Sequence, residues 1–423
     1  MALKVGEQMT TELADNVRKY RRRAGMSQEE LAHAAGMSPA TVRKVEQGGT
    51  VRMETLHALA RALGVTTAAL IASDAPEPVG RTEEPNRVNL IQLRAALTPA
   101  VGLVDQEAEA AGEEPNLRAY ARTVRDARVL YFSDSYKSVA AQLPGLLRDA
   151  ARAVAYYDGG EEHRQALLAR AETLRLAGTY LTQVRQYDIA YAALSGAIAD
   201  ARRAGDMLAA GSGVGGMCWL LVRQGRLDEA ERIATQSMDV VEPKITGAEP
   251  DHYAVWGGLA MEAAAAAARN NRPDEAKEYR KAARVAATAV GTAHRNVSRH
   301  WSVFGPVTVA LKALEDPMVI GDARAVVRKV GEEAELSPKA WKRLGRPSTN
   351  DGNRFTLDMA RAHTRTGDLS AAMDELALAR EAAPEWLRHQ NSAAETMQEI
   401  LSKRKRTLTS DMREMAAYLG VVG

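Results

Sequence analysis

Between Ser27 and Gln47 the chain reads SQEELAHAAGMSPATVRKVEQ, and the spacing of its turn residues leaves room for two short helices and little else. Ser27 is placed to cap the first helix, and Glu30, three residues on, completes a capping box. Gly25 closes the helix before it, while Gly36 supplies the left-handed conformation that ends the first short helix. Ser38 caps the second helix, and Pro39 fits its first position, where a missing backbone N–H costs nothing. The turn between the two helices is therefore about three residues long.

The apolar residues agree with this reading. Leu31, Ala35, Met37, Val42 and Val45 recur so that both helices share one core with Leu13, Val17, Leu56, Leu59 and Leu63, and Ala32 is small where the helices cross. Pro39, Ala40, Arg43 and Lys44 are left on the outward face of the second helix, at the spacing of a helix that reads a DNA groove. Capped helices of this kind also occur in ordinary bundles, and a bare helix-turn-helix pattern has many false matches. Here two turn glycines, two caps and a basic first helix point the same way. The run Arg21, Arg22, Arg23 alone would be weaker, because charge runs are usually solvated faces.

From residue 12 to 71 the chain resembles the Cro/XRE repressor family, a five-helix head that opens here on RRRAGMSQEELA and ends on METLHALARALGV. The resemblance implies that Gln28 touches phosphate and that Ser38 and the loop around Arg52 hold the DNA backbone. It places Pro39, Ala40, Arg43 and Lys44 at base edges, with Thr41 beside them. It also implies a partly buried pair between Arg21 and Glu46, which makes Glu46 structural. Arg and Lys can bond guanine O6 and N7, whereas Ala40 offers only a methyl contact to thymine. The family's frequent Gln or Arg is missing at positions 39 and 40, so those two residues leave the base preference open.

A chain of 423 residues is too long for one ordinary domain. Hydrophobic residues at 46% with aromatics at only 5% point to helices packed by small side chains. Residues 1–72 hold 10 Lys and Arg against 7 Asp and Glu, whereas the remainder holds 46 against 47. That polarity suits a DNA-facing head on a body with no general affinity for nucleic acid. The one cysteine, Cys218, excludes a disulfide framework and any Cys-based zinc site. The N-terminus lacks the apolar core of a signal peptide, and no apolar run is long enough to cross a bilayer. The expected location is cytoplasmic, with no membrane partner.

Residues 73–87, SDAPEPVGRTEEPNR, read as a linker between a head at 1–72 and a body at 88–423. In the body, helical patterns alternate with short Gly, Pro or Asp breaks, and the phrases VRQYDIA, RQGRLDEA, RNNRPDEA and TRTGDLSAA recur at about 40 to 48 residues. After these turns Ala190 is followed by Leu194 and Ala197, and Ala372 by Leu376, Ala379 and Pro384, so small residues let adjacent helices approach. The body resembles tetratricopeptide repeats, with an early hairpin near 117–157, a degenerate pair over 293–340 and about five to seven hairpins in all. With ALTPAVGL, FGPVTVAL and LALAREAAPEWLRHQ, the layout is similar to actinobacterial regulators that join an XRE head to a tetratricopeptide body. The expected fold is all-α: a five-helix head followed by an α-solenoid.

Other constellations carry less. Gly211, Gly213 and Gly216 satisfy GxGxxG, but no buried strand precedes them, so helix packing or an opened groove is the better reading than a phosphate cradle. His294 and His300 lack partners at ligand spacing, so no metal site and no cofactor is expected. No nucleophile elbow or kinase signature accompanies the Ser, His and Asp residues, and the chain is expected not to be an enzyme. The run Ala263 to Ala268, between Glu262 and Arg269, is a repeat helix rather than a span, and Lys403 to Arg406 form a basic cluster whose ordinary fate is a helix end. The inner face of the aligned hairpins places Arg175, Thr179, Trp219, Met261 and Arg361 in a shared groove, where Trp219 is either a ligand anchor or packing between hairpins.

Together these readings describe a homodimeric regulator that binds a double-stranded DNA operator through the head. Its body would dimerise and sense a peptide, a small molecule or a protein in the groove. The alternative is a DNA-tethered adaptor whose repeats recruit a partner protein.

Overall fold

The computed structural model describes residues 13–22, 26–49, 51–63, 85–100, 114–244, 247–294, 303–404 and 407–421, with single residues between 65 and 70. The all-α class expected from the sequence is the class observed. The described residues hold no strand, and one isolated bridge pairs His294 with Phe304. The chain divides into two compact units, residues 1–84 and 85–423.

In the head, residues 13–22 (α1) precede Gln28–Ala34 (α2), Pro39–Glu46 (α3) and Met53–Leu63 (α4). The capping box forms: Ser27 Oγ accepts from Glu30 N at 3.1 Å, and Ser27 N donates to Glu30 Oε2 at 2.6 Å. Ser38 Oγ caps α3 by accepting from Thr41 N at 3.2 Å, with Pro39 at the first helical position. The turn occupies residues 35–38, one residue more than the spacing suggested. Gly36 is left-handed at φ 66°, which lets Met37 N bond back to Ala32 O at 2.9 Å, and an extended Ser38 is then still needed to start α3. Val17, Leu31, Val42, Val45 and Leu59 are fully buried, each stabilising the head by about 1.5–3 kcal/mol. Gly25 and most of the fifth helix lie outside the described residues. Leu70, at that end, is buried and accepts from Asn16 Nδ2 at 3.2 Å.

The body begins with Pro85–Leu97 (α5), which starts within the segment read as linker. Residues 85–87 are therefore helical, with Pro85 suited to the first position. The rest of that segment lies outside the described residues.

Antiparallel helix pairs follow: Leu117–Phe132 (α6) with Tyr136–Tyr156 (α7), Gly160–Gln183 (α8) with Tyr187–Arg203 (α9), and Met207–Arg223 (α10) with Leu227–Val240 (α11). Pro250–Arg269 (α12) then packs on Pro273–Val290 (α13). The pair expected over 293–340 is broken into Pro306–Ala313 (α14), Glu315–Val319 (α15), Ala323–Glu332 (α16) and Pro338–Leu344 (α17). Pro306 and Pro338 each sit in a first turn, where a helix can begin but not continue backwards. Regular pairing returns with Thr349–Thr366 (α18) on Leu369–Ala382 (α19), then Pro384–Arg388 (α20), Asn391–Lys403 (α21) and Ser410–Tyr418 (α22).

The turns share one chemistry. Arg185, Gly225, Asn271 and Gly367 are all left-handed, and the N–H of the next residue bonds to the carbonyl five back: Gln186 to Leu181, Arg226 to Leu221, Arg272 to Ala267 and Asp368 to His363, at 2.8–2.9 Å. This satisfies carbonyls that a helix end leaves open and reverses the chain in about three residues. Gly205 and Gly321 build the same turn. Ala190, Ala230, Ala276 and Ala372, the alanines after the recurring turns, are buried where paired helices meet.

The stack curls until its end meets its beginning. Asp134 takes two backbone donors from the start of α20, Glu385 N and Trp386 N, both at 2.6 Å. Arg185 Nη2 reaches His389 O at 2.9 Å, and Trp386 is buried in the same core as Tyr131 and Tyr136.

Candidate nucleic-acid interface and body cavity

The back of α3 is fixed by one buried carboxylate. Glu46, 3% exposed, accepts from Arg21 Nε at 2.6 Å, from Arg21 Nη2 at 3.1 Å and from Gln28 Nε2 at 2.7 Å, while Arg18 Nη2 donates to its backbone oxygen at 2.5 Å. Burial pushes the Glu46 carboxyl upward, and the bonds from Arg21 and Gln28 outweigh it, holding the pKa below the usual carboxylate value. The partnership also raises Arg21, first through the hydrogen bond to Glu46. Helices α1, α2 and α3 are thus tied together at one point, which sets the outward face of α3.

On that face Pro39, Ala40, Arg43 and Lys44 are exposed, as are Ser38 and Arg52, and Thr41 is half-buried against Ser38 Oγ at 2.9 Å. Arg43 Nη2 rests on Glu29 Oε1 at 3.0 Å. That pair is solvated on both sides and is worth about 0–1 kcal/mol, so a phosphate or a guanine edge can displace it. Gln28 differs from its expected role in one respect: its amide is bonded to Glu46. Its backbone N–H and that of Glu29, in the first turn of α2, are the donors that an incoming phosphate would find, because Glu30 N is occupied by Ser27.

In the body, one helix of nearly every pair contributes to the wall of a cavity of about 610 Å³, whose lining includes Tyr131 and Phe132 from the first pair and Trp386 and Gln390 from near the end of the chain. Thr179, Trp219, Met261 and Arg361 line it together. Arg175 does not: it is 3% exposed, and burial lowers its pKa to about 9 against the pull of Glu172. Trp219 is half-buried on the wall, with the Arg223 guanidinium over its ring at 4.9 Å.

The GxGxxG residues belong to α10 and follow no strand, so the phosphate-loop context is absent. A side chain at Gly213 would meet Ile198 Cγ1 at 2.9 Å, and one at Gly211 would meet Val255 Cγ1 at 3.0 Å, so these positions serve close packing. Gly215 and Gly258, both on the cavity wall, have nothing within 4 Å of where a Cβ would be.

A charged band on the wall escaped the sequence reading. Glu315 pairs with Arg269 at 2.9 Å and with Lys312 at 3.4 Å, Lys312 reaches Asp351 at 3.5 Å, and Asp358 holds Arg361 at 3.2 Å and Arg354 at 3.7 Å. The signal was the charges at the edges of apolar helices, such as Glu262 and Arg269 around the alanine run and Lys312 in VALKALED. Glu262 sits in this band, its carboxyl pushed up to about 7 by burial first and also by Glu315, with Lys312, Arg269 and Arg280 opposing. Its pKa is raised on folding, so the stability it contributes is full below 4.5 and is lost as pH rises through about 7. Glu262→Gln should therefore flatten the pH dependence of urea unfolding between pH 4.5 and 7, removing up to about 1.4 kcal/mol per pH unit. An unchanged slope would mean that Glu262 is ionised throughout.

The remaining expected features are structural. His294 Nε2 bonds Asp251 Oδ1 at 2.6 Å, and His300 lies outside the described residues, among which no three His, Cys, Asp or Glu side chains gather as a metal would require. Lys403 is spent on Thr364 O at 2.9 Å and Glu399 at 2.8 Å, while Lys405 and Arg406 are outside the described residues. Cys218 is buried, with Ala230 O at 3.4 Å. No helix among the described residues is long and apolar enough to cross a membrane.

Residues 17–70 match the helix-turn-helix family model, a segment that contains α2, α3, α4 and most of α1. No curated protein matches the chain. The head is thus a helix-turn-helix domain of the DNA-binding kind found in transcription regulators.

Proposed function

We propose that the chain is a sequence-specific transcription regulator that binds its operator as a homodimer and senses a ligand in the body cavity. The observation that carries the DNA half is the exposed row Pro39, Ala40, Arg43 and Lys44 on a helix held from behind by Glu46. Phosphate is met by Ser38, Arg52 and the first turn of α2, and base edges by the outward residues of α3. One head covers a small footprint, so a two-fold dimer doubles the contacts and sets half-sites near one helical turn or a multiple apart.

The cavity supports the sensing half. It is large enough for a ligand, is mixed in polarity, and has a wall drawn from helices on both sides of the closure that joins residues 134–137 and Arg185 to residues 385–389. A ligand bound there touches residues from each side of that closure. It changes operator affinity only as far as it favours one arrangement of the body over another.

Retention of genomic fragments on the purified full chain at near-physiological salt, with Lys44→Ala in parallel, tests the proposal. The expected result is a two-fold symmetric motif, with the variant losing about 1–3 kcal/mol of discrimination at one base position per half-site. Retention of all sequences alike, unchanged by the substitution, would refute specific readout and favour the tethered adaptor.

A further inference from the structure

Resting on the reading of the cavity as a receptor, we propose that its ligand carries a carboxylate, seated on Arg223 with Arg185 and Arg354 as flanking cations and with the Trp219 face beside it. Among the described residues, six cationic side chains line the wall against five carboxylates, and most are matched. Arg269, Lys312, Arg354 and Arg361 have carboxylate partners, and Arg185 donates to His389 O. Arg223 has no hydrogen bond or ion pair among the described residues, and its described contact is the Trp219 ring. The same wall carries a second idle donor: Gln183, 2% exposed, has an Nε2 with no acceptor among the described residues.

Gln183 Nε2 is a buried donor, and buried donors are almost always satisfied; Arg223, on the same wall, is half-buried near like charges with no counter-ion among the described residues, so this is a place where a partner is owed. Burial, then Arg354, and more weakly Arg185 lower the Arg223 guanidinium to about 10, which leaves it cationic at neutral pH. Because burial holds the Glu262 carboxyl up to about 7, the described wall carries a net positive charge at neutral pH, which an anionic ligand offsets. A carboxylate matches the planar guanidinium with two parallel hydrogen bonds. A neutral ligand would leave Arg223 uncompensated, and a cation would be repelled. The indole face of Trp219 then meets the apolar or aromatic part next to the carboxylate. The carboxylate can belong to a small acid or to the C-terminus of a peptide.

The test uses the full chain with two matched pairs of probes: 3-phenylpropanoate and its amide, and a pentapeptide pool with free and with amidated C-termini. Melting temperature and tryptophan emission are the readouts. One of the two acids should bind at least about tenfold more tightly than its amide, and which one identifies the source of the group. Arg223→Gln should bring the acid down to the amide's affinity, Arg223→Lys should restore part of it, and Arg223→Gln without probe should melt higher than the parent because an uncompensated cation is gone. Acid and amide binding alike, with both abolished by Gly215→Leu, would overturn the carboxylate and leave the cavity a receptor. No binding by any probe would overturn both readings.

Discussion

Glu46→Ala should unfold the head and abolish DNA binding on every duplex alike, although Glu46 points away from the face that meets DNA. Glu46 is 3% exposed and accepts from Arg21 and Gln28, and Arg21 is itself only 12% exposed on its side chain. Removing the carboxylate leaves the guanidinium desolvated and unpaired, which typically costs about 3–5 kcal/mol. A head of this size has about 4–10 kcal/mol of total stability, so the loss consumes from about a third to all of it. Calorimetry should show the head's transition lowered and the body's unmoved. Glu46→Gln, which keeps one acceptor, should fall between. Acid should mimic the substitution: the Glu46 pKa is depressed on folding, so its stabilisation is present above 4.5 and lost as pH falls below that value. A head transition shifted by less than about 1 kcal/mol in Glu46→Ala would show that the network positions α3 without stabilising it.

The head was legible because its signals are local. A cap needs one side-chain oxygen three residues before an N–H, and a left-handed turn needs a glycine, so Ser27, Gly36 and Ser38 announced their helices without any knowledge of the rest. The repeat turns were legible in part. Gly225 and Gly367 stood in recognisable phrases, whereas Gly205 and Gly321 do the same work in AGD and IGD. The missed signal was the Gly-Asp pair: glycine closes one helix, and the aspartate caps the next, as Asp206 does for Ala209 N at 3.0 Å and Asp322 for Ala325 N at 2.9 Å.

The cavity was hardest to read, because its wall is assembled from residues about 40 apart on successive inner helices. Alignment of the hairpins was enough to place Thr179, Trp219, Met261 and Arg361 on one face. It failed for Arg175, one helical turn before Thr179: that arginine is buried in the packing and does not line the cavity. The charged band depends on the curl of the whole body, which no local pattern encodes.

Gly215 and Gly258 connect the cavity to a result that needs no knowledge of the ligand. Both lie inside helices, where glycine is less favourable than alanine by about 0.5–1 kcal/mol, and neither has the close neighbour that explains Gly211 or Gly213. Gly215→Ala with Gly258→Ala should therefore raise the body's stability by about 1–2 kcal/mol, since each methyl enters empty space and restricts the unfolded chain. Operator affinity without ligand should not move. Leucine at the same two positions keeps the helix propensity but carries its side chain into the cavity, so that variant should fold, bind operator and lose all response to the acid probes. The alanine and leucine pairs together separate volume from stability: a ligand response lost with leucine and kept with alanine assigns the empty space to the ligand. If alanine instead lowers the melting temperature, those glycines are held by a backbone requirement, and the space in front of them carries no functional meaning.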